Sequence, residues 1–210
     1  MTMAATTKRI LLATRNAKKL DELRRILAPL VQVEVIGLAD VAAYDEAPET
    51  GATFADNALL KAREAVKHTG LVAVADDSGL AVDALNGMPG VLSARWAGSA
   101  RDDEANLDLV LEQLTDTPDE RLSAAFVCAA ALVTPDGVEV VREGRMPGRL
   151  IRQRRGANGF GYDPIFVPDG HSQTSAELSA ADKDRISHRG QALRALLPAV
   201  LDALGARMSS

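Results

Sequence analysis

Cysteine is nearly absent from this 210-residue chain. Cys128 stands alone, so no intrachain disulfide can form, which fits a reducing compartment. Histidine is scarce too: His68, His171 and His188 are scattered and no cysteine pair accompanies them, which argues against a structural zinc site. No stretch reaches the roughly 18 uninterrupted apolar residues that span a bilayer. The opening MTMAATTKRI lacks the apolar segment of a secretory signal. These absences lead to the expectation of a soluble, cytoplasmic protein with no membrane partner. Positive charge is not in excess either. With 24 Lys and Arg against 29 Asp and Glu, the formal net charge is -5, which argues against a duplex nucleic-acid binder. No internal repeat, low-complexity linker or domain boundary is visible. The expectation is one domain over residues 1–210, with disorder confined to 1–7 and 206–210.

What is present suits a sizeable core: 47% of residues are hydrophobic and 25% charged. RILLAT, Arg9 to Thr14, reads as a short buried strand. KKLDELRRILAPL follows with Leu20, Leu23 and Leu27 at helical spacing and Pro29 as a stop. VQVEVIG alternates as a strand, YDEAPETGA is an acidic loop, and Phe54 to Thr69 reads as a helix closed by Gly70. VAVADD is a strand that ends on two acids, with Ser78-Gly79 leading into a turn. DDEANLDLVLEQL is a helix with acids in its first turn, where the helix dipole favours them. Two long apolar strands meet at Pro135-Asp136-Gly137, a hairpin signature. RQRRGANGFGYDPIFVPDG is a glycine-rich loop entering a short strand. The tail is a helix with Pro198 inside it, placed to kink it. Early alternation of strands and helices with a late hairpin implies an α/β protein with a mixed sheet.

Several stretches could carry chemistry. LLATRNAKKL is a strand, a polar loop and a helix start, and a helix N-terminus offers free N–H groups to an anion. Thr14, Asn16, Lys18 and Lys19 would add donors there, although no Walker A pattern is present and an exposed polar loop reads equally well. Asp76 and Asp77 close an apolar run, where a lone carboxylate is expensive. Successive strand residues point to opposite faces, so the two acids have different tasks. Glu49 with Asp77 could complete an oxygen site for Mg²⁺. Asn57 and Lys61 share one helix face, and Lys61 could reach phosphate, though a solvated face is the simpler reading. Three of the seven aromatics, Phe160, Tyr162 and Phe166, fall among glycines in RGANGFGYDPIF. Phe160 could stack on a flat base, while Phe166 fits a core plug. Arg149, Arg152, Arg154 and Arg155 read as a solvated basic loop that could also attract a polyanion. DKDRISHRG gathers Lys183, His188 and Arg189 near the start of the last helix, with Ser187 as a natural N-cap.

Taken in order, TRNAKK, ETGATFADNALLKA, ADDSGLAVDAL, PGVLSARWAG, GFGYDPIF and SHRGQAL resemble the inosine/xanthosine triphosphate pyrophosphatase family, from about Ile10 to about Leu204. The resemblance implies an elongated, two-lobed α/β fold with a long central mixed β-sheet flanked by helices, a substrate cleft between the lobes, and a homodimer. It implies Mg²⁺-dependent hydrolysis of ITP, dITP or XTP to the monophosphate and pyrophosphate. It places Thr14, Arg15, Asn16, Ala17, Lys18 and Lys19 in a phosphate loop. Asp77 becomes the catalytic proton acceptor and a metal ligand, with Glu49 on the metal side and Ser78 in the substrate site. Phe160, Gly161, Tyr162, Asp163, Lys183, His188 and Arg189 match the base pocket. The family's first loop often reads T-G-N-x-G-K, and here Arg15 and Lys18 replace both glycines. Gln173-Thr174 stands where the family often has Lys-Thr. Three rival readings are a pyrophosphatase for other modified nucleotides, a nucleotide sensor without turnover, and a nucleic-acid module using the Arg149–Arg155 loop.

Overall fold

The computed structural model describes residues 8–27, 34–45 and 48–205. In chain order these form β1 (Arg9–Leu12), α1 (Ala17–Leu27), β2 (Glu34–Gly37), α2 (Phe54–Thr69), β3 (Val72–Val82), α3 (Asp103–Gln113), β4 (Ser123–Val133), β5 (Glu139–Leu150), β6 (Phe166–Pro168), α4 (Ala180–Ile186) and α5 (His188–Leu204). The six strands make one mixed sheet in the order β2-β1-β3-β4-β5-β6. β2, β1 and β3 are parallel, joined through helices, whereas β3 to β6 run antiparallel. The α/β class and the mixed sheet therefore agree with the sequence. The expected disorder at residues 1–7 and 206–210, and the stop at Pro29, lie outside the described residues. No described helix is long and apolar enough to cross a membrane.

Local signals account for most boundaries. Thr53 caps α2 by accepting from the Asp56 amide, and Gly70 closes it in the left-handed conformation (φ 66°) that glycine adopts without penalty. Asp102 caps α3 through the amides of Glu104 and Ala105. Ser187 ends α4 and caps α5, accepting from the Gly190 amide. Lys183 thus belongs to α4, a separate short helix, and not to the start of the last one. α5 continues as one helix across Pro198.

β3 departs from the sequence expectation. The strand does not end at Asp76-Asp77 but runs on through Ser78-Gly79 to Val82, paired with β4 from Ala73 to Val82. Gly79 serves close approach here, not a turn. A Cβ there would lie 2.3 Å from Ser93 Oγ and 2.5 Å from the Gly90 carbonyl oxygen. The neighbouring Leu80 amide donates to that same Ser93 hydroxyl at 2.9 Å.

The long strands carry three apolar clusters. On one face Ile10, Leu12, Val74, Ala130 and Leu132 pack under Leu193, Leu196 and Val200 of α5. On the other, Leu11, Ala73, Ala75, Ala129 and Ala131 meet Ala58, Ala62 and Ala65 of α2, small residues that let the helix sit close. Farther along, Leu80, Val82, Phe126, Met146 and Leu150 join Leu107 and Val110 of α3 and the buried Ile165 and Phe166. Each fully buried large side chain contributes on the order of 1.5–3 kcal/mol. Residues Asp76 to Ser78 fall between the first two clusters and the third along β3.

The start of α5 is held against β5 at Gly144. A Cβ there would stand 2.1 Å from the His188 carbonyl oxygen and 2.7 Å from the Ala192 amide nitrogen. Both neighbours are backbone, so neither can give way as a side chain would. Gly144→Ala is expected to destabilise the protein by about 1–3 kcal/mol and to push His188 and Arg189 out of place. Denaturant melts with the wild-type slope and an unchanged midpoint would contradict this packing.

Candidate active site

Period two sends the adjacent acids of β3 to opposite sides of the sheet. Asp76 points toward α1 and α5. Its Oδ2 accepts from Arg189 Nε at 3.1 Å and from Lys19 Nζ at 3.2 Å, with Ser78 Oγ at 3.4 Å. Arg189, only 2% exposed, also donates Nη2 to Ser78 Oγ at 2.8 Å and Nη1 to the buried Glu22. Burial alone would raise the Asp76 pKa, but Lys19 and Arg189 hold it far below the usual carboxylate range. This cluster carries two positive and two negative charges and sits almost entirely out of water.

Asp77 points toward α2. Its Oδ2 accepts from Asn57 Nδ2 at 3.1 Å and its Oδ1 from Lys61 Nζ at 3.2 Å. Asn57 and Lys61 are one turn apart on α2 and so meet the same carboxylate. Lys61 reaches Glu49 Oε1 at 3.0 Å as well, and Arg95 Nη1 lies 3.4 Å from Glu49 Oε2. Burial raises the Asp77 pKa, only partly offset by Lys61 and Lys19. For Glu49, burial pushes the pKa up, but Lys61, with Lys19 and Arg101, lowers it on balance.

These groups open onto a cleft of about 230 Å³. At one end stand Thr14, Arg15, Asn16 and Lys19 from the β1–α1 junction. Asn16 caps α1, its Oδ1 accepting from the Lys19 amide at 3.2 Å, and Thr14 Oγ1 accepts from the Asn16 amide at 3.2 Å. Arg15 Nη2 donates to the Tyr44 carbonyl at 3.1 Å. At the other end stand Phe160, Gly161, Tyr162, Asp163, Lys183 and His188. Lys183 Nζ lies 5.3 Å and Arg189 Cζ 5.9 Å from the Phe160 ring centre. Asp163 is buried and accepts from the Phe160 amide at 2.8 Å and from Lys183 Nζ at 2.5 Å. His188 stacks on Phe126 with ring centres 5.0 Å apart. Burial, reinforced by Arg189 and Lys183, lowers the His188 pKa well below its usual value, so its imidazole is neutral. Its buried Nδ1 has no hydrogen-bond partner among the described residues.

Residues 10–199 match the Ham1 family. The chain belongs to the Ham1 family. It is 64% identical over 192 residues to a dITP/XTP pyrophosphatase of Mycobacteroides abscessus, covering 90% of this chain and 93% of that one. It is 62% identical over 202 residues to a dITP/XTP pyrophosphatase of Nocardia farcinica, covering 95% and 96%. The solved structure of a HAM1 protein from Coxiella burnetii superposes with a TM-score of 0.84 at 42% identity, covering 94% of this chain and all of that one.

For this Ham1 protein, the residues singled out in the sequence fall largely together. Thr14, Arg15, Asn16, Lys19, Glu49, Asp77, Ser78, Phe160, Gly161, Tyr162, Asp163, Lys183, His188 and Arg189 all line the cleft. Ala17 does not; it is the exposed first residue of α1. The Lys18 side chain lies outside the described part of the structure. Tyr162 is committed elsewhere, its hydroxyl donating to the Ser93 carbonyl at 2.8 Å. Asn57 and Lys61, which the sequence also allows as a solvated face, are turned onto Asp77. Glu22 carries no sequence signal beyond being an acid in an amphipathic helix, yet it is 4% exposed and bound to Arg189. Arg152, Arg154 and Arg155 pair with Asp119, Asp108 and Glu177, which uses their charge within the protein.

The donor chemistry suits a hard cation between Asp77 and Glu49, since both carboxylates turn one oxygen to the same ammonium. No cluster of three or more His, Cys, Asp or Glu able to hold a metal exists among the described residues. Further ligands would be water and phosphate oxygens.

The two acids should behave oppositely in stability. Asp76 has a depressed pKa, so its contribution is present above the ~3.9 of an unfolded aspartate and is lost as pH falls below it. Asp77 has a raised pKa, so its cost to stability sets in as pH rises through the ~3.9 of an unfolded aspartate and is complete once pH exceeds the raised value. At pH 7 without metal, Asp76→Asn is expected to cost roughly 3–5 kcal/mol, because Arg189 and Lys19 lose their buried partner. Asp77→Asn is expected to melt no lower than wild type. Thermal melts in EDTA check both, and the reverse order would refute the assignment of the two networks.

Proposed function

We propose that this Ham1 protein hydrolyses deaminated purine nucleoside triphosphates (dITP, ITP and XTP) to the monophosphate and pyrophosphate, with Mg²⁺ held by Asp77 and Glu49. The observation that carries this reading is one cleft with a cation-holding carboxylate pair between a helix-start loop and an aromatic pocket rich in donors. The names of its relatives agree with it.

The triphosphate lies along Thr14–Lys19, where first-turn amides of α1 lack intrahelical acceptors and Lys19 adds charge. The base enters beside Phe160, whose ring offers a stacking face. Lys183 and Arg189 meet an oxygen at position 6 of the base. Three of the five N–H donors of Arg189 are used by Asp76, Glu22 and Ser78, leaving two to donate. The neutral His188 lines the same pocket. Adenine carries an amino group at that position and would face donors with a donor, a mismatch that a polar site rejects strongly.

Bound Mg²⁺ would neutralise phosphate charge and acidify a water. Asp77 takes the proton from the attacking water, its carboxylate held at the metal side of the cleft by Asn57 and Lys61. The oxygen of that water bonds to the α-phosphorus, the bond to the bridging oxygen breaks, and pyrophosphate leaves. Lys19 and Lys61 stabilise the charge that gathers on the phosphates.

Steady-state assays with Mg²⁺ are expected to give pyrophosphate from ITP, dITP and XTP, with kcat/KM for ATP lower by about 10²-fold or more. Orthophosphate as the product, or equal rates with ATP, would overturn the reading. Phe160→Ala should raise KM for ITP roughly 5- to 150-fold with a smaller change in kcat, since stacking acts alike on ground and transition states. An unchanged KM would remove Phe160 from the base pocket.

A further inference from the structure

Lys61 is unusual for a lysine in how it is enclosed. Its side chain is 15% exposed and its Nζ stands between two carboxylates, 3.0 Å from Glu49 Oε1 and 3.2 Å from Asp77 Oδ1. Each acid spends its other oxygen on a neighbour, Arg95 for Glu49 and Asn57 for Asp77. The two oxygens left over therefore converge on a single point, and like charges at such range repel unless a cation stands there. Lys61 is that cation. It also lines the same cleft as Lys19, on a four-carbon stem rooted in α2.

We propose that Lys61 is a resident counter-ion of the metal site: its ammonium keeps Asp77 and Glu49 together while no metal is bound, and an entering divalent cation must displace it. This rests on the reading of Asp77 and Glu49 as the metal-side carboxylates. Nucleotide-free protein then binds metal more weakly than two carboxylates alone would, because the incoming ion competes with a charge already in place. The displaced ammonium needs a new partner, and a triphosphate lying along Thr14–Lys19 supplies one within the same cleft. Metal and nucleotide therefore help each other to bind, by reciprocity to the same degree. Lys61 acts here as a positioning residue, passing from carboxylates to phosphate as the site fills.

The consequence has an unexpected sign. Removing a residue that merely supports a metal site weakens the metal, whereas removing a competing cation tightens it. Mn²⁺, which shares the oxygen-ligand preference of Mg²⁺, provides a probe through the electron-paramagnetic-resonance signal of the free ion. Titrations without nucleotide would compare wild type with Lys61→Gln, Lys61→Arg, Glu49→Gln and Asp77→Asn. Lys61→Gln is expected to bind Mn²⁺ about tenfold more tightly, Lys61→Arg within about twofold of wild type, and the two carboxylate variants more weakly. Melts give a second readout. Lys61→Gln should lose stability in EDTA, where the two acids face each other unshielded, and regain it in saturating Mn²⁺. Equal or weaker Mn²⁺ binding by Lys61→Gln, with Glu49→Gln still impaired, would overturn the counter-ion role and leave the metal reading intact. Unimpaired Mn²⁺ binding in both carboxylate variants would overturn the metal reading and this inference together.

Discussion

The buried pair between Asp76 and Arg189 is the joint on which the rest of the site depends. It ties the middle of β3 to the first turn of α5, and through Lys19 and Glu22 it fixes α1 against both. Pairs of this kind are weak sources of net stability, since desolvation consumes most of the Coulomb gain. Their effect is geometric. Arg189 presents its remaining donors in one direction only because three of them are already bound. Gly144 lets α5 approach closely enough for the pair to form. The start of one helix, one strand and the first loop are thereby registered to one another at the middle of β3.

Asp77 shares that strand but has the opposite environment. It turns to α2, where Asn57 and Lys61 hold it and where burial raises its pKa. The difference follows from strand geometry: neighbouring residues face opposite sides, so one acid is neutralised by fixed arginine and lysine while the other faces a replaceable cation. A carboxylate whose pKa burial raises and one whose pKa buried cations lower thus stand on adjacent residues, and under the proposed function the second keeps in place the groups that would position substrate for the first.

Much of this was legible in the sequence. Caps and breakers such as Thr53, Gly70, Asp102 and Ser187 act locally, so the helices they bound follow from composition alone. The hairpin at Pro135-Asp136-Gly137 is equally local. The end of β3 was not legible, because Ser78-Gly79 has turn chemistry and only the approach of Gly90 and Ser93, distant in sequence, shows why a glycine sits within a strand. Glu22 was hidden for a similar reason, and for Lys61, which the sequence allowed to reach phosphate, a solvated face was the simpler reading. A charge on an amphipathic helix normally faces water, and what turns these two inward is a partner that comes from another element. The Arg152–Arg155 stretch reads as a free basic loop until Asp108, Asp119 and Glu177 are placed beside it.

The division of labour between the paired acids is tested most directly by kcat and KM for ITP in Asp77→Asn and Asp76→Asn, both at saturating Mg²⁺ and well below their melting temperatures. Loss of the proton acceptor should lower kcat of Asp77→Asn by about 10²–10⁴-fold with little change in KM. Asp76→Asn, whose Arg189 and Lys19 are released from their anchor, should show the larger rise in KM and retain more of its kcat. Near-normal kcat in Asp77→Asn, with the loss appearing in Asp76→Asn instead, would contradict the account.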